Sequence, residues 1–199
     1  DSDGEALSQD FKLTVLDEYE KPASIILSDQ TITENRDKGT VIGILSATDQ
    51  DSGDVLTFRV TSGNEFVTVN GREMVTEMSF DYESRSFYDI TIEVGDSDGA
   101  LSSQDFRLQV LDENEAPTTI TLTDQTITEN RDKGTVIGIL DATDPDSGDV
   151  LTFRVTSGNK FVTVNGRELV TQVSFDYEAR ITYDITIEVR DSDGEALSQ

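Results

Sequence analysis

Residues 29–45 read DQTITENRDKGTVIGIL, and residues 124–140 read the same seventeen letters in the same order. Working outward from this stretch, a shift of 95 positions leaves about 80 identities among the 104 overlapping positions. The chain is written as two copies of one unit. A period near 95 exceeds the roughly 20–50 residues of a solenoid repeat and suits a seven-stranded sandwich of about 100 residues.

Within one copy the apolar residues alternate with period two, as a half-buried strand requires. LTFRV sets Leu56, Phe58 and Val60 on one face, and YDITIEV does the same with Tyr88, Ile90, Ile92 and Val94. DFRLQV continues the pattern through Phe106, Leu108 and Val110, while TVIGILSAT is a longer apolar run suited to a central strand. Asn70-Gly71, between FVTV and REMVTE, is a strong hairpin signal, because both residues tolerate positive φ. With ASIILSDQTITE read as the opening strand, seven strands and no helical period predict an all-β fold, a tandem of seven-stranded Greek-key β-sandwich domains.

Composition narrows the function. Among 199 residues, 41 are acidic and 15 basic, a formal charge of -26. Nucleic acids and anionic membrane surfaces both need a basic face, so neither is an expected partner. Leu, Ile, Val and Phe exceed the roughly 20% below which acidic chains stay disordered, so a core is attainable. No apolar run approaches the roughly 20 residues of a membrane helix, and no leader pattern opens the chain, which reads as a soluble segment without a membrane span. Cys and His are both absent. Thiolate zinc sites, disulfides, and the commonest catalytic base go with them, so an enzyme is not expected.

The acidic residues concentrate in the connections between strands: Glu34, then Asp49, Asp51 and Asp54, then Asp81 and Glu83, then Asp96 and Asp98, then Asp112, Glu113 and Glu115. Connections gather at the poles of a sandwich, so these carboxylates converge there. Two of them about 4 Å apart repel by roughly 4 kcal/mol at an effective dielectric of 20, which calls for a cation. Calcium takes six to eight oxygen ligands and needs neither His nor Cys.

ITEN followed by GT, ATDPD, FDYE and DENEAP, in that order and spacing, resemble a cadherin repeat, particularly the bacterial cadherin-like repeats of large surface and secreted proteins. The resemblance covers nearly the whole chain, twice. It implies calcium held at the junction between consecutive domains by Glu34, Asp81, Glu83, Asp112, Glu113, Asn114 and Glu115 with Asp144, Asp146 and Asp191. By the same carry-over the first linker offers Asp17, Glu18 and Glu20 with Asp49, Asp51 and Asp96, and the second copy repeats the first set as Glu129, Asp176 and Glu178. DENEAP is one residue shorter than the usual linker, with Ala116 where an Asn would fall, and Tyr19 replaces the Asn of the first linker; fewer ions per junction are expected. The implied domains are residues 21–115 and 116–199, preceded at 1–20 by the last strand and linker of another repeat.

Rival readings are weaker. An EF-hand loop begun at Asp49 or Asp96 would need Glu at its twelfth position, which holds Val60 or Arg107. Asp81 and Glu83 as a glycosidase pair lack aromatic sugar platforms, and Trp is absent. Plain surface solvation would spread charge over strand faces. A carbohydrate-binding module of a secreted polysaccharide-active protein is the alternative function, to be marked by a row of exposed aromatics. Residues 1–9 and 191–199 share the sequence DSDGEALSQ, and DFKLTVLDE near the start matches the seventh strand DFRLQVLDE. Two explanations follow: a window on a long array, or chains that complete each other head to tail by strand donation. The expected function is a calcium-rigidified extracellular or cell-surface stalk, fibre or filament for adhesion or biofilm matrix. Its partners are neighbouring copies of the same repeat and a cell-surface or polysaccharide target.

Overall fold

The computed structural model describes residue 4 and residues 6–199; residues 1–3 and 5 of the opening segment lie outside the described residues. The described chain is all-β, and its sheets pair into sandwiches. It divides into two compact units, one of Asp1–Phe80 with Arg85–Leu111, the other of Asp81–Ser84 with Asp112–Gln199.

The first unit carries β1 (Ala23–Leu27), β2 (Thr31–Thr33), β3 (Val41–Thr48), β4 (Thr57–Ser62), β5 (Val67–Asn70), β6 (Glu73–Thr76), β7 (Phe87–Gly95) and β8 (Leu101–Leu111). One sheet runs β1-β3-β6-β5 and the other β2-β8-β7-β4. All neighbours are antiparallel except β2 and β8, which run parallel with Ile32 opposite Val110. The inward faces supply a core in which Leu45, Met74, Ile92, Val94, Leu108 and Val110 are fully buried. Burying one such side chain is worth about 1.5–3 kcal/mol. Tyr88 sits at the centre, its ring edge-on to Phe66 and Phe80 at 4.8 and 4.7 Å.

Two local features differ from the sequence reading. ASIILSDQTITE is not one strand: it breaks at Asp29, whose carboxylate accepts the Thr31 N–H at 2.9 Å and its hydroxyl at 2.8 Å. That turn moves the chain from one sheet to the other, and Gly43 makes room for it, since a Cβ there would lie 2.9 Å from the Asp29 backbone. The hairpin turn also lies one residue later than expected. Asn70 pairs with Glu73, so Gly71 and Arg72 form the loop, with positive φ at Gly71.

The second unit repeats the plan with β9 (Thr119–Leu122), β10 (Val136–Thr143), β11 (Thr152–Ser157), β12 (Val162–Asn165), β13 (Glu168–Thr171), β14 (Thr186–Arg190) and β15 (Ala196–Ser198). The sheet β9-β10-β13-β12 matches its counterpart, whereas the other holds only β11-β14-β15. β15 has three residues where β8 has eleven, and β14 five where β7 has nine. Thr126–Thr128 is identical to β2 in sequence and is not a strand. A strand forms only where it has a partner for its backbone groups.

Candidate metal sites

In the first unit Asp49 and Asp54 come from the connection after β3, and Asp96 from the end of β7. One oxygen of each lies within 4.8 Å of the others. The connection folds locally as an Asx turn, the Asp49 Oδ1 accepting the Asp51 N–H at 3.0 Å. Asp96 Oδ1 accepts the N–H groups of Gly99 and Ala100 at 2.7 and 2.8 Å. The second oxygens of Asp49, Asp54 and Asp96 are buried and accept no hydrogen bond. A buried carboxylate oxygen without a donor is costly unless a cation completes it. Asp51 lies beside this cluster, its Oδ2 accepting the Glu20 N–H at 2.9 Å and tying the first linker to this end of the unit. Burial, followed by repulsion from Asp51, Asp17 and Glu18, pushes the Glu20 carboxyl above its ordinary range. Asp98 is raised in the same direction, by burial and then by Asp54, Asp96, Asp51 and Asp49.

The second unit builds the same arrangement. Asp144, Asp146 and Asp149 bring oxygens within 4.8 Å, and the Oδ2 atoms of Asp144 and Asp149 are again buried without a donor. Burial, then the charges of Asp149, Asp146 and Asp191, raise Asp144 against the opposing Asp146 N–H. Asp191 is 4% exposed. Burial pushes it up, but the Asn114 amide at 3.2 Å and the N–H groups of Gly194 and Glu195 hold it below its ordinary value. The linker docks as the first one does, the Glu115 N–H donating to Asp146 Oδ2 at 2.7 Å. Glu83, Glu115 and Asp146 form a further cluster within 4.8 Å.

The remaining predicted residues are placed as follows. Glu129, Asp176 and Glu178 bring oxygens within 4.8 Å, with Glu129 also accepting the Tyr177 N–H at 3.0 Å. Glu34 is buried at 1% exposure in the first unit, its N–H donating to the Leu111 carbonyl at 3.1 Å, while Asp81 groups with the second unit and accepts the Ser84 N–H at 2.7 Å. Asp17, Glu18, Asp112 and Glu113 are exposed and belong to none of the carboxylate clusters among the described residues. Asp54 and Asp149 were not in the ligand set expected from sequence. The signal was present: in both copies D-x-D-x-x-D repeats without change in its acidic positions.

No family model matches the chain. It is 27% identical over 184 residues to human protocadherin gamma-B5, covering 84% of this chain and 20% of that protein. It is 26% identical over 199 residues to human cadherin EGF LAG seven-pass G-type receptor 2, covering 93% and 7%. The chain thus spans a fifth or less of the length of these relatives. Extracellular cadherin domains 3–6 of protocadherin gamma B2 superpose with a TM-score of 0.67 at 26% identity, over 92% of this chain and 50% of that one. Mouse cadherin-23 EC22–24 shares the fold, with a TM-score of 0.64 at 20% identity over 89% and 64%. These relatives are animal cadherins, adhesion proteins and not enzymes, and they lend nothing to a bacterial origin. In sequence and fold the chain is thus similar to the extracellular cadherin domains of these proteins.

Proposed function

We propose that this cadherin-like chain is a calcium-stiffened extracellular repeat that serves adhesion as part of a stalk, fibre or filament. The observation that carries the reading is the matched pair of half-satisfied sites: Asp49, Asp54 and Asp96 in one copy, Asp144 and Asp149 in the other, each in a carboxylate cluster and each with a buried oxygen that has no donor. Such a set suits a hard cation that takes oxygen ligands alone. Asp191, Asn114 and Glu115 would complete the second site, and Glu20 and Asp51 the first. When bound, calcium supplies the positive charge that lets these carboxylates share one end of a sandwich. The chain's own part is to hold the linkers against that end, through the Glu20 and Glu115 N–H groups, so that Pro22 and Pro117 follow an anchored segment.

Neighbouring copies of the repeat are the nearest partners under this reading, with a cell-surface or polysaccharide target beyond them. The array serves in a cell-surface adhesin or a biofilm matrix, and its copies either follow one another in one polypeptide or join head to tail by strand complementation. The test is calorimetric titration of calcium into chelated protein, alongside small-angle scattering. Binding at about 10⁻⁴–10⁻³ M is expected, with a narrower distribution of shapes in calcium. Neither heat nor a change of shape would return the acidic loops to simple solvation.

A further inference from the structure

The two linkers are tied to their units by the same backbone bond and differ in one side chain beside it. Tyr19 and Asn114 hold equivalent places, 95 positions apart, in VLDEYEKP and VLDENEAP. In each unit the next residue docks through its backbone, the Glu20 N–H on Asp51 Oδ2 at 2.9 Å and the Glu115 N–H on Asp146 Oδ2 at 2.7 Å. In each, the aspartate that follows β7 or β14 spends its Oδ1 on two N–H groups of its own turn: Gly99 and Ala100 for Asp96, Gly194 and Glu195 for Asp191. The copies part at the remaining oxygen. Asp96 Oδ2 is buried without a donor, whereas Asp191 Oδ2 accepts the Asn114 amide at 3.2 Å.

We propose that the Asn114 amide takes the place of a cation beside Asp191 and keeps the second linker docked without metal, so that calcium governs the docking of the first linker more than that of the second. The inference rests on the calcium reading given above and adds to it the order in which the two linkers let go. The orientation of the amide is fixed by its surroundings. Asn114 Nδ2 lies 3.2 Å from Asp191 Oδ2 and 3.3 Å from the Glu115 carbonyl oxygen, and two acceptors can face only its NH₂ end. Asp191 is 4% exposed, so the amide serves a carboxylate largely shut off from water, where a donor counts most. Tyr19 carries its only side-chain donor at the far end of a rigid ring and has no amide close to the backbone.

The clusters reflect this difference. Among the described residues Asp96 belongs to the carboxylate cluster of its unit with Asp49 and Asp54, and all three bring a buried oxygen without a donor. The equivalent cluster of the second unit, Asp144, Asp146 and Asp149, does not include Asp191 and brings two such oxygens, on Asp144 and Asp149. The first end therefore leaves a cation more to complete. By residue type the first linker offers one ligand side chain fewer; by what its carboxylates lack, it depends on the ion more.

The test is amide exchange on the 199-residue chain, read by NMR at the Glu20 and Glu115 N–H groups and corrected for their intrinsic rates. In excess chelator Glu115 should be protected about tenfold more than Glu20, the factor that one hydrogen bond to a charged group supplies. Millimolar calcium should raise protection at Glu20 by the larger factor. Asn114→Tyr should bring Glu115 down to the level of Glu20 in chelator; the first linker already carries Tyr at that place, so the substitution suits the turn. Tyr19→Asn should raise protection at Glu20 in chelator and shrink its response to calcium. Each variant is compared with the native chain at the same amide, so the segments flanking the two linkers do not enter. Equal protection of the two amides in chelator, an Asn114→Tyr variant with native protection at Glu115, or a larger calcium response at Glu115 than at Glu20 would each overturn the inference. If the substitutions move the amides in chelator while calcium moves neither, the calcium reading fails, and the ordering with it, while the role of the Asn114 amide stands. If calcium protects both amides alike and the substitutions move nothing, the Asn114 role fails and the calcium reading stands.

Discussion

Replacing Asp54 by Asn should stabilise the chain in chelator and destabilise it in calcium. Asp54 shares its site with Asp49 and Asp96, one oxygen of each within 4.8 Å of the others, and its Oδ2 is buried without a donor. At that separation and an effective dielectric of 20, each like-charge pair costs about 3.5 kcal/mol. The three residues are only half-buried, so solvent screening leaves about 1–2 kcal/mol in all for the two pairs that the substitution relieves. Asn keeps the shape and removes the charge. For a domain of this size, 1 kcal/mol moves the melting temperature by about 4–8 °C, so calorimetry in excess chelator should show a rise of roughly 4–16 °C. In millimolar calcium the same variant loses an anionic ligand, and the sign should reverse. A shift of the same sign in both conditions would refute the reasoning, because it would mean that Asp54 holds the loop by some means unrelated to charge.

Two further outcomes follow from the strand break at Asp29. Gly43→Ala puts a methyl 2.9 Å from the Asp29 N and O atoms, backbone that has no easy way to yield; a loss of about 2 kcal/mol or more in denaturant unfolding is expected, whereas unchanged stability would show that the crossover can shift. The Asp29 and Asp124 carboxylates are held below the ordinary 3.8 by the Thr31 and Thr126 hydroxyls, then by their N–H groups. A depressed folded value means that their contribution is present above pH 3.8 and is lost as pH falls through the lower value. Carboxyl NMR should find both midpoints depressed in the native protein and that of Asp29 raised part of the way back by Thr31→Val, which keeps the backbone N–H, while ordinary midpoints in the native protein would dismiss the turn bonds.

Much of the fold was legible because alternation is a local property. YDITIEV buried and LTFRV half-buried the faces their spacing marked, and TVIGILSAT took the central position its apolar run implied. What escaped was set by neighbours distant in sequence. ASIILSDQTITE alternates well enough for one strand, and only the Asx turn at Asp29, with the space left by Gly43, sends its halves to different sheets. The hairpin was anticipated but its turn was not, since pairing of Asn70 with Glu73 moves the loop onto Gly71 and Arg72. At the candidate sites the carboxylate types and spacing were readable, and Asp54 and Asp149 were there to be counted. Which oxygens find a donor and which are left buried without one is a matter of loop conformation, which the letters do not carry.

The identical segments Thr31–Thr33 and Thr126–Thr128 make the molecule its own reference standard. Intrinsic amide exchange rates depend on local sequence, and here the sequence is the same for two residues before the tripeptide and twelve after it. Any difference in deuterium uptake between these twin tripeptides, measured in one sample at one pH and temperature, therefore reports the contribution of the adjoining strand and nothing chemical.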